Sequence, residues 1–567
     1  EIGRIFPADT APFMKALLAG YKDDYYQNDK LYASMNVAGL AHVVAVSGMH
    51  VAFLVGVLQS ILGKNRRSSI ICIALVWLFV VMVGSPPSAV RAGIMIGIPM
   101  LAPVFGRVND RATTLSFALA LILISNPFSA GSVALQLSFG SVSGMLLFSQ
   151  PIYELLSSRL RVPKVLERPW RYVIATLSSS LAVTVFTCPL MAAHFGYVTL
   201  LAPIMNILCL WAISFLFIGG FALCIIGLIL PAPAMWLANV LSCLVNYIAC
   251  VVEYSAKLPI TALYMENKYA LFWLLSSYAL FIAYFAIRKY KKLSVLIPSA
   301  VCVAMLCGVF WLTDRDMRTD PGTISVMNVG NGQCIAVTEG ENTVVIDCGS
   351  YGVTQNAGGM LSSYLRANGR YDIDYLMLTH LHSDHASGVE RLLNLINVKT
   401  IIMPDNAEDT SGDGMLEEIT AAAGENGTNI VYITRDTDFT AGRIRLSVYE
   451  SSDLGARDES GIMSTVSIGD YDMLVTGDVE KVVERELVRE HELSGTELLI
   501  VPHHGSKYST SDELLSALEP ETAVISTGYN RYGHPTQETL DMLEKYKVSV
   551  LRTDKLGSII LHIAAGD

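Results

Sequence analysis

The sequence predicts a multi-pass α-helical membrane domain of about ten spans followed by a layered α/β domain, and three observations predict it. Of 567 residues, 52% are hydrophobic and 16% charged, and the mean hydropathy of +0.44 is that of a membrane protein. The apolar residues are concentrated. Up to about Leu312 they form runs of roughly 17 to 25 residues, enough to cross a bilayer, whereas from Thr313 the chain alternates short strand, turn and helix patterns. In that second half His380-Leu381-His382-Ser383-Asp384-His385 follows the apolar run Ile373 to Thr379. Ligand-type side chains crowded into one short loop repel or stay hydrated unless a cation holds them, so a metal centre is the economical reading.

Residues 1–34 read as an amphipathic segment at the outer surface, 35–312 as the transmembrane domain, 313–322 as a linker and 323–567 as the soluble domain. The chain opens on Glu1 with no removable signal peptide and reads as part of a longer protein. Most of the ten cysteines lie in or beside apolar runs as small hydrophobes. Cys334 and Cys348 fall on successive predicted strands, where a disulfide is conceivable.

Candidate spans run over 36–62, 68–84, 89–105, 112–125, 132–150, 173–195, 198–218, 221–252, 268–287 and 293–312, the eighth being long enough to break at Pro231-Ala-Pro233. Basic clusters fall at Lys64/Arg66/Arg67, Arg107/Arg111, Arg159/Arg161/Lys164/Arg168/Arg171 and Arg288/Lys289/Lys291/Lys292. Under the positive-inside rule these loops face the cytoplasm. Ten crossings put every cluster on that side and leave the N-terminus and everything after Thr313 outside. Polar residues inside the runs survive only by facing a partner or a wet cavity. Ser47 and His50, Arg91, Gln136, Thr184, Thr187 and Asn206 are such residues; helix-to-helix hydrogen bonding explains the hydroxyls and amides, while His50 and Arg91 point to a polar pathway.

The soluble half reads as strands 324–329, 334–338, 343–346, 375–379, 400–403, 429–433, 443–449, 463–468, 473–476, 498–501 and 522–526, with helices over 359–368, 480–491 and 511–518. Its chemistry-bearing residues sit at strand ends: Asp347, the His380–His385 loop, Asp478, and His503-His504. In layered α/β folds such ends converge on one edge.

His380, His382, Asp384 and His385 reproduce letter for letter the H-x-H-x-D-H loop of the metallo-β-lactamase superfamily, which this half resembles. The resemblance implies an αββα sandwich binding one or two divalent ions, Zn²⁺ or Mn²⁺. Asp347 then orients the ligand loop, Asp478 bridges, His503 or His504 is the late ligand, and His504 or His534 serves the leaving group. Ser506 reads as a helix N-cap or a support for the ligands. One departure is plain: no histidine occurs between Ala386 and Gly477 to supply the superfamily's third motif. Asp458, Glu459, water or substrate would have to fill that place.

Gly39-Leu-Ala-His42-Val-Val-Ala-Val-Ser47-Gly-Met-His50, Ser85-Pro-Pro-Ser-Ala-Val-Arg91, Asn126-Pro127 and Gln136-Leu-Ser138-Phe139 are similar to the membrane domain of ComEC-type DNA internalisation proteins. Val329-Gly-Asn-Gly-Gln333, Thr476-Gly-Asp478, Pro502-His-His-Gly-Ser506 and Asn530-Arg-Tyr-Gly-His-Pro535 resemble the hydrolase domain of the same family, in the same order. The resemblance implies a channel, lined by Ser47, His50, Arg91, Gln136 and Asn206, that conducts single-stranded DNA across the cytoplasmic membrane in natural transformation. It also implies an outward nuclease acting on duplex or on the displaced strand, with membrane lipid, a DNA receptor and a cytoplasmic helicase-type protein as partners. The chain itself has no Walker-type phosphate loop.

Net charge −11 gives no global attraction for a polyanion, so Lys507, Arg531, Arg91 and bound metal must attract it locally. Two other readings stand beside this one: a membrane-anchored hydrolase of a cell-wall or lipid phosphodiester, and a transporter whose hydrolase domain has become a binding module.

Overall fold

Two units make up the chain in a computed structural model, Glu1–Met265 and Glu266–Asp567. It describes every residue except 27–28, 45, 64, 103, 107–109, 160–166, 289–293, 352–355, 406–413, 451–460 and 565–567. The expectations for Lys64, Arg107, Arg161, Lys164, Lys289, Lys291, Lys292, Asp458 and Glu459 therefore lie outside the described residues.

The first unit is helical. Four helices of 15 to 17 residues, Gly48–Leu62, Arg66–Met82, Pro87–Leu101 and Arg111–Ser125, precede four of 26 to 29 residues as assigned, Val133–Arg159, Glu167–Phe195, Ala202–Gly227 and Pro231–Ala256. The last four, with Ala270–Ile287 and Leu296–Arg318 of the second unit, are long and apolar enough to span a bilayer. The expected first span over 36–62 is not one helix. Asp29–Val37 and Ala41–Val44 are separate from Gly48–Leu62, because Gly39 is left-handed (φ 78°) and Ser47 is extended as the N-cap of the next helix. The expected boundary between 218 and 221 runs through continuous helix. The break falls instead at 228–230, where Pro231 opens the next helix as its first residue.

Residues 1–34, expected as an outer segment, pack into this unit. Met14 and Leu18 of helix Ala11–Ala19 reach Gly220, where a Cβ would lie 2.8 Å from either side chain. Thr10 and Ser242 share a hydroxyl hydrogen bond of 2.9 Å. Phe217 centres the core, meeting Phe79 at 6.2 Å and Phe221 at 5.1 Å between ring centroids. Two three-residue strands, β1 (Tyr197–Thr199) and β2 (Ala262–Tyr264), pair antiparallel.

The second unit opens with the helix pair Ala270–Arg288 and Leu296–Arg318, so the expected linker 313–322 is helical through Arg318. Two seven-stranded sheets follow. The first holds β3 (Thr323–Val326), β4 (Cys334–Glu339), β5 (Asn342–Cys348), β6 (Asp372–Met377), β7 (Asn397–Pro404), β8 (Asn429–Ile433) and a late β16 (Ile559–His562), in the order β16-β3-β4-β5-β6-β7-β8. The second holds β9 (Thr437–Ala441), β10 (Ile444–Tyr449), β11 (Met463–Ile468), β12 (Tyr471–Val475), β13 (Leu498–Ile500), β14 (Thr522–Ile525) and β15 (Ser549–Arg552), in the order β15-β14-β13-β12-β11-β10-β9. Each sheet is antiparallel on one side and parallel on the other: β5 to β8 in the first, β12 to β15 in the second.

Alternation builds the layers. Ile335 and Val337 of β4 face Val466, Met473 and Ile500 between the sheets, while Cys334 and Ala336 turn outward to Leu361 and Leu392 of the covering helices. On the far side Leu474 and Leu499 meet Val483, Leu487 and Leu514. An αββα sandwich results. Cys334 and Cys348 are directly opposed across β4 and β5, yet both are free thiols and the conceivable disulfide is not formed. Burial and a hydrogen bond from Cys334 keep the Cys348 thiol well above its ordinary pKa, the hydrogen bond contributing most.

Gly144 lets helices Val133–Arg159 and Glu167–Phe195 touch, since a Cβ there would stand 2.3 Å from the Ala182 carbonyl oxygen. Alanine gains about 1 kcal/mol of helix propensity over glycine, but overpacking costs about 1–3 kcal/mol and here meets rigid backbone. Gly144→Ala is therefore expected to lower the unfolding temperature of the detergent-solubilised protein; an unchanged or raised midpoint would refute the close contact.

Candidate metal centre

The parallel strands deliver their ends to one edge. Asp347 ends β5, the His380–His385 loop follows β6, Asp478 follows β12, His503-His504 follows β13 and Ser526 follows β14. Three of these residues are left-handed although not glycine: Asp347 (φ 56°), His503 (φ 50°) and His504 (φ 53°). Such backbone is held only where its surroundings over-determine it. Gly349 shows how tight those surroundings are, for a Cβ on it would lie 2.2 Å from the main chain of Asp384 and His385.

Hydrogen bonds aim each imidazole. Asp347 is fully buried and accepts from Thr379 N–H (2.7 Å), the Thr379 hydroxyl (2.8 Å) and Gln333 Nε2 (2.9 Å). It also takes His385 Nδ1 at 2.7 Å. An ionised carboxylate only accepts, so His385 Nδ1 carries the hydrogen and Nε2 is turned to the centre. The same logic applies to His504, whose Nδ1 donates to the Ser526 carbonyl at 2.8 Å. His380 Nδ1 lies 3.1 Å from Thr379 Oγ1.

Two ligand groups result, and Asp384 belongs to both. Asp384, His385, Asp478 and His504 form one, His380, His382 and Asp384 the other, with the ligand atoms of each group within 4.8 Å of one another. His380 Nε2 and His504 Nε2 are buried without a hydrogen-bond partner, and His385 Nε2 faces Asp478 Oδ1 at 3.1 Å. Unsatisfied buried polar atoms are costly, and two imidazoles with two carboxylates suit Zn²⁺ or Mn²⁺. The residues present fit a divalent ion.

The other expected residues sit around this centre. His503 has Nε2 3.8 Å from Asp478 but stands outside both groups, so of the two late histidines it is His504 that joins the ligands. With Nε2 among the ligands and Nδ1 donated to Ser526, His504 has no nitrogen left for the leaving-group role expected of it. The His534 ring lies 5.6 Å from that of His503. Ser506 does not cap a helix. Its hydroxyl accepts from Tyr508 N–H at 3.3 Å and shapes the turn, while Ser511 caps Asp512–Leu518. Sequence reasoning gave no role to Thr379, Gln333 or Ser526: Gln333 closes the Val329–Gln333 motif, while the other two are marked only by position, one before the ligand loop and one after a strand.

The expected membrane residues all pair within the first unit. Ser47 N–H donates to His50 Nδ1 at 3.1 Å, and the buried His50 ring meets Phe217 at 4.9 Å. Arg91 Nη2 donates to the Ala134 carbonyl (3.2 Å), Gln136 Oε1 lies 3.0 Å from His194 Nε2, and Asn206 Nδ2 donates to Ser180 Oγ (2.9 Å). Thr184 and Thr187 bond back to their own helix, to Ser180 and Val183 carbonyls.

Charge in the centre is finely opposed. Burial would raise the Asp478 pKa, but His385 and His504 hold it well below the carboxylate range. Burial likewise opposes charge on Asp384, yet the His504 ring, with Nε2 3.7 Å away, and the His385 charge bring it to about 2. Conversely, burial disfavours protonated His385, and the Asp478 and Asp347 carboxylates override it to raise its pKa well above 6.5. His504 is raised for the same reason, by Asp478 and Asp384 against burial.

A sandwich with paired ligand groups at its strand ends is the fold of metal-dependent hydrolases of the metallo-β-lactamase superfamily, whose family profile matches residues 327–529. A second profile, Competence protein, matches residues 17–291. ComE operon protein 3 of Bacillus subtilis (strain 168) is 26% identical over 577 residues, covering 98% of this chain and 72% of the relative. Competence protein ComA of Neisseria gonorrhoeae is 23% identical, covering 99% and 75%. The chain belongs with the ComEC-type competence proteins. Among solved structures, the metallo-β-lactamase fold protein YhfI of Bacillus subtilis covers 43% of this chain and 100% of its own at 13% identity, TM-score 0.31.

Protons on His385 and His504 balance the carboxylates when no ion is bound, so a cation must displace them. Both pKa values are raised, so those protons are present below the ordinary imidazole value and leave only as pH rises through the elevated ones. Zn²⁺ or Mn²⁺ affinity should therefore climb as pH rises above the ordinary imidazole value, with proton release visible by calorimetry in buffers of different ionisation enthalpy. A pH-independent affinity would contradict the assignment.

Proposed function

We propose that this chain conducts one strand of DNA across the cytoplasmic membrane in natural transformation, and that its sandwich domain is a metal-dependent nuclease on the outer face that degrades the strand left behind. The observation that carries the reading is the pairing, in one chain, of a competence-family helical unit with two ligand groups sharing Asp384.

Held by His380, His382, Asp384, His385, Asp478 and His504, divalent ions would supply charge neutralisation for phosphodiester hydrolysis. The chain's own residues do the positioning. Asp347 and Ser526 hold His385 and His504 in the ligand tautomer, Asp384 joins the two groups while Asp478 belongs to the one with His385 and His504, and His503 with His534 faces a phosphate oxygen or the leaving group. With burial and the neighbouring His503 and His504 charges keeping the His534 pKa below 6.5, His534 is neutral at pH 7 and can donate or accept one hydrogen bond.

Ten spans remain our reading of the membrane domain, with the proposed domain limits at 35–312 and 323–567. Ten helices of 15 to 29 residues lie between Gly48 and Arg318 among the described residues, and if each crosses in turn the basic clusters of the sequence all fall on the cytoplasmic side. The pairing of β1 with β2 supports this alternation, because it requires loops 196–201 and 257–269 to lie on one side, as the count of ten also does. Ser47, His50, Arg91, Gln136 and Asn206 are the proposed channel residues. Buried atoms without a hydrogen-bond partner on three of them, His50 Nε2, Arg91 Nε and Asn206 Oδ1, favour a polar path over a simple anchor. A DNA receptor and a cytoplasmic motor complete the proposed apparatus.

Purified full chain with Mn²⁺ or Zn²⁺ should cleave linear DNA, and Asp384→Ala with His385→Ala should reduce cleavage by at least about a hundredfold; hydrolysis of lipid or cell-wall phosphodiesters with DNA left intact would point to the anchored-hydrolase reading instead. Orientation has its own measurement. Alkaline phosphatase fused after Asp567 should be active and green fluorescent protein at the same place dark, and the reverse pattern would reject an outer-face hydrolase.

A further inference from the structure

Four tyrosines stand in water on the loops that carry or brace the metal ligands: Tyr351 is 60% exposed, Tyr508 59%, Tyr529 96% and Tyr532 73%. Each is tied to the centre through named contacts. Tyr351 exchanges main-chain hydrogen bonds of 2.8 and 3.2 Å with Asn331, beside Gly332, where a Cβ would lie 2.8 Å from the Asp384 carbonyl oxygen. Tyr529 follows Gly528, which abuts the Gly330 backbone closely enough that a Cβ would stand 2.5 Å away. The Tyr532 ring lies 5.9 Å from that of His534. Tyr508 follows the Pro502–Gly505 ligand turn, with the Lys507 ammonium 5.1 Å from its ring centroid.

Scattered exposed hydrophobes need no explanation, but these are not scattered. Among the described residues after Gly322, eight large apolar or aromatic side chains are exposed, and four of them are these tyrosines at one edge. Exposed Lys507 and Arg531 are interleaved with them. Flat rings alternating with cations offer π-faces and positive charge together, the combination that a polyanion with flat bases takes up. Nor does the rim border lipid by way of the apolar helix pair in its own unit. That pair joins the opposite end of the sheet, where Asn267 donates to the Ala367 carbonyl at 2.7 Å and Gly369 abuts Thr313, just before β6 begins. The ligand loop is at the other end of β6.

We infer that the tyrosine rim is a stacking platform for unpaired bases, so that the hydrolase site takes single-stranded nucleic acid in preference to duplex. The inference rests on the nuclease reading above and adds the form of the substrate. Every base has a π-face, and a stacked aromatic contributes about five- to a hundredfold in affinity per base without sequence preference. Duplex bases are already stacked on each other and offer only phosphates. A protein of net charge −11 gains little from phosphates at long range, so stacking supplies what its overall field lacks, with Lys507 and Arg531 taking the backbone locally.

The test uses the full chain in detergent with Mn²⁺ and a phosphorothioate oligothymidine of about 16 nucleotides, the upper site size of a stacking platform, against the matching duplex. The single strand should bind more tightly. Tyr529→Ala with Tyr532→Ala should weaken it about ten- to a hundredfold while leaving duplex binding unchanged, and Tyr529→Phe with Tyr532→Phe should restore it. Alanine variants that bind like the parent, or that weaken strand and duplex equally, would overturn the inference. So would tyrosine-dependent binding of cell-wall glycan or anionic vesicles in place of the strand. If the parent holds the strand through its tyrosines but never cleaves an unprotected one, the nuclease reading falls and the platform stands. Cleavage with tyrosine-independent binding gives the converse.

Discussion

His385 is fully buried between two carboxylates, with Nδ1 2.7 Å from Asp347 and Nε2 3.1 Å from Asp478, and the sandwich is built to keep it there. The three residues come from the ends of β5, β6 and β12, in two different sheets. Both sheets must therefore present their parallel ends to the same edge and in register, because a shift of one residue would turn a ligand into the opposite layer. Two buried carboxylates so close to one imidazole are tolerable only with positive charge between them. A proton on His385 supplies it where no ion is bound, and a divalent ion at this candidate site would replace it.

The tight main-chain contacts serve the same constraint. Gly332, Gly349 and Gly388 bring three loops within van der Waals reach of the His380–His385 segment or its flank, and Gln333 N–H holds the Asp384 carbonyl at 2.9 Å. The ligand loop is thus clamped through backbone. Its side chains are left to the ion, and the rim outside them is left to whatever enters. In the helical unit the pattern is different. Polar side chains are satisfied one at a time, by a carbonyl, a serine or a histidine on a neighbouring helix, and the residual unpaired atoms of His50, Arg91 and Asn206 mark where that economy stops.

Most strands and the ligand loop were legible because their signals are local. Alternation fixes which face of a strand is buried, and the spacing of His380, His382, Asp384 and His385 carries its own chemistry. Strands β9, β15 and β16 and helices Val389–Leu395, Met415–Asn426 and Gln537–Lys545 left weaker traces. They are short or lie at sheet edges, where burial on one side only blurs the pattern. The membrane helices were located, but their limits shifted wherever a break depends on packing: the turn at Gly39 is set by Thr199 and Ala202 pressing on it, residues more than a hundred and fifty positions away.

What the sequence determined by itself is whatever depends on neighbours along the chain: the two-part organisation, the apolar helices, the strand periodicity and the crowded ligand loop. Tertiary structure alone decided which distant groups meet. It placed His504 rather than His503 in a candidate ligand group, with its Nδ1 committed to Ser526 and its Nε2 3.9 Å from Asp478. It also revealed Thr379 and Gln333 as supports of Asp347, kept Cys334 and Cys348 as facing thiols, and gathered four ordinary tyrosines onto one edge. Distances across a folded core are set by the packing of sheets and loops, and no stretch of sequence read alone contains them.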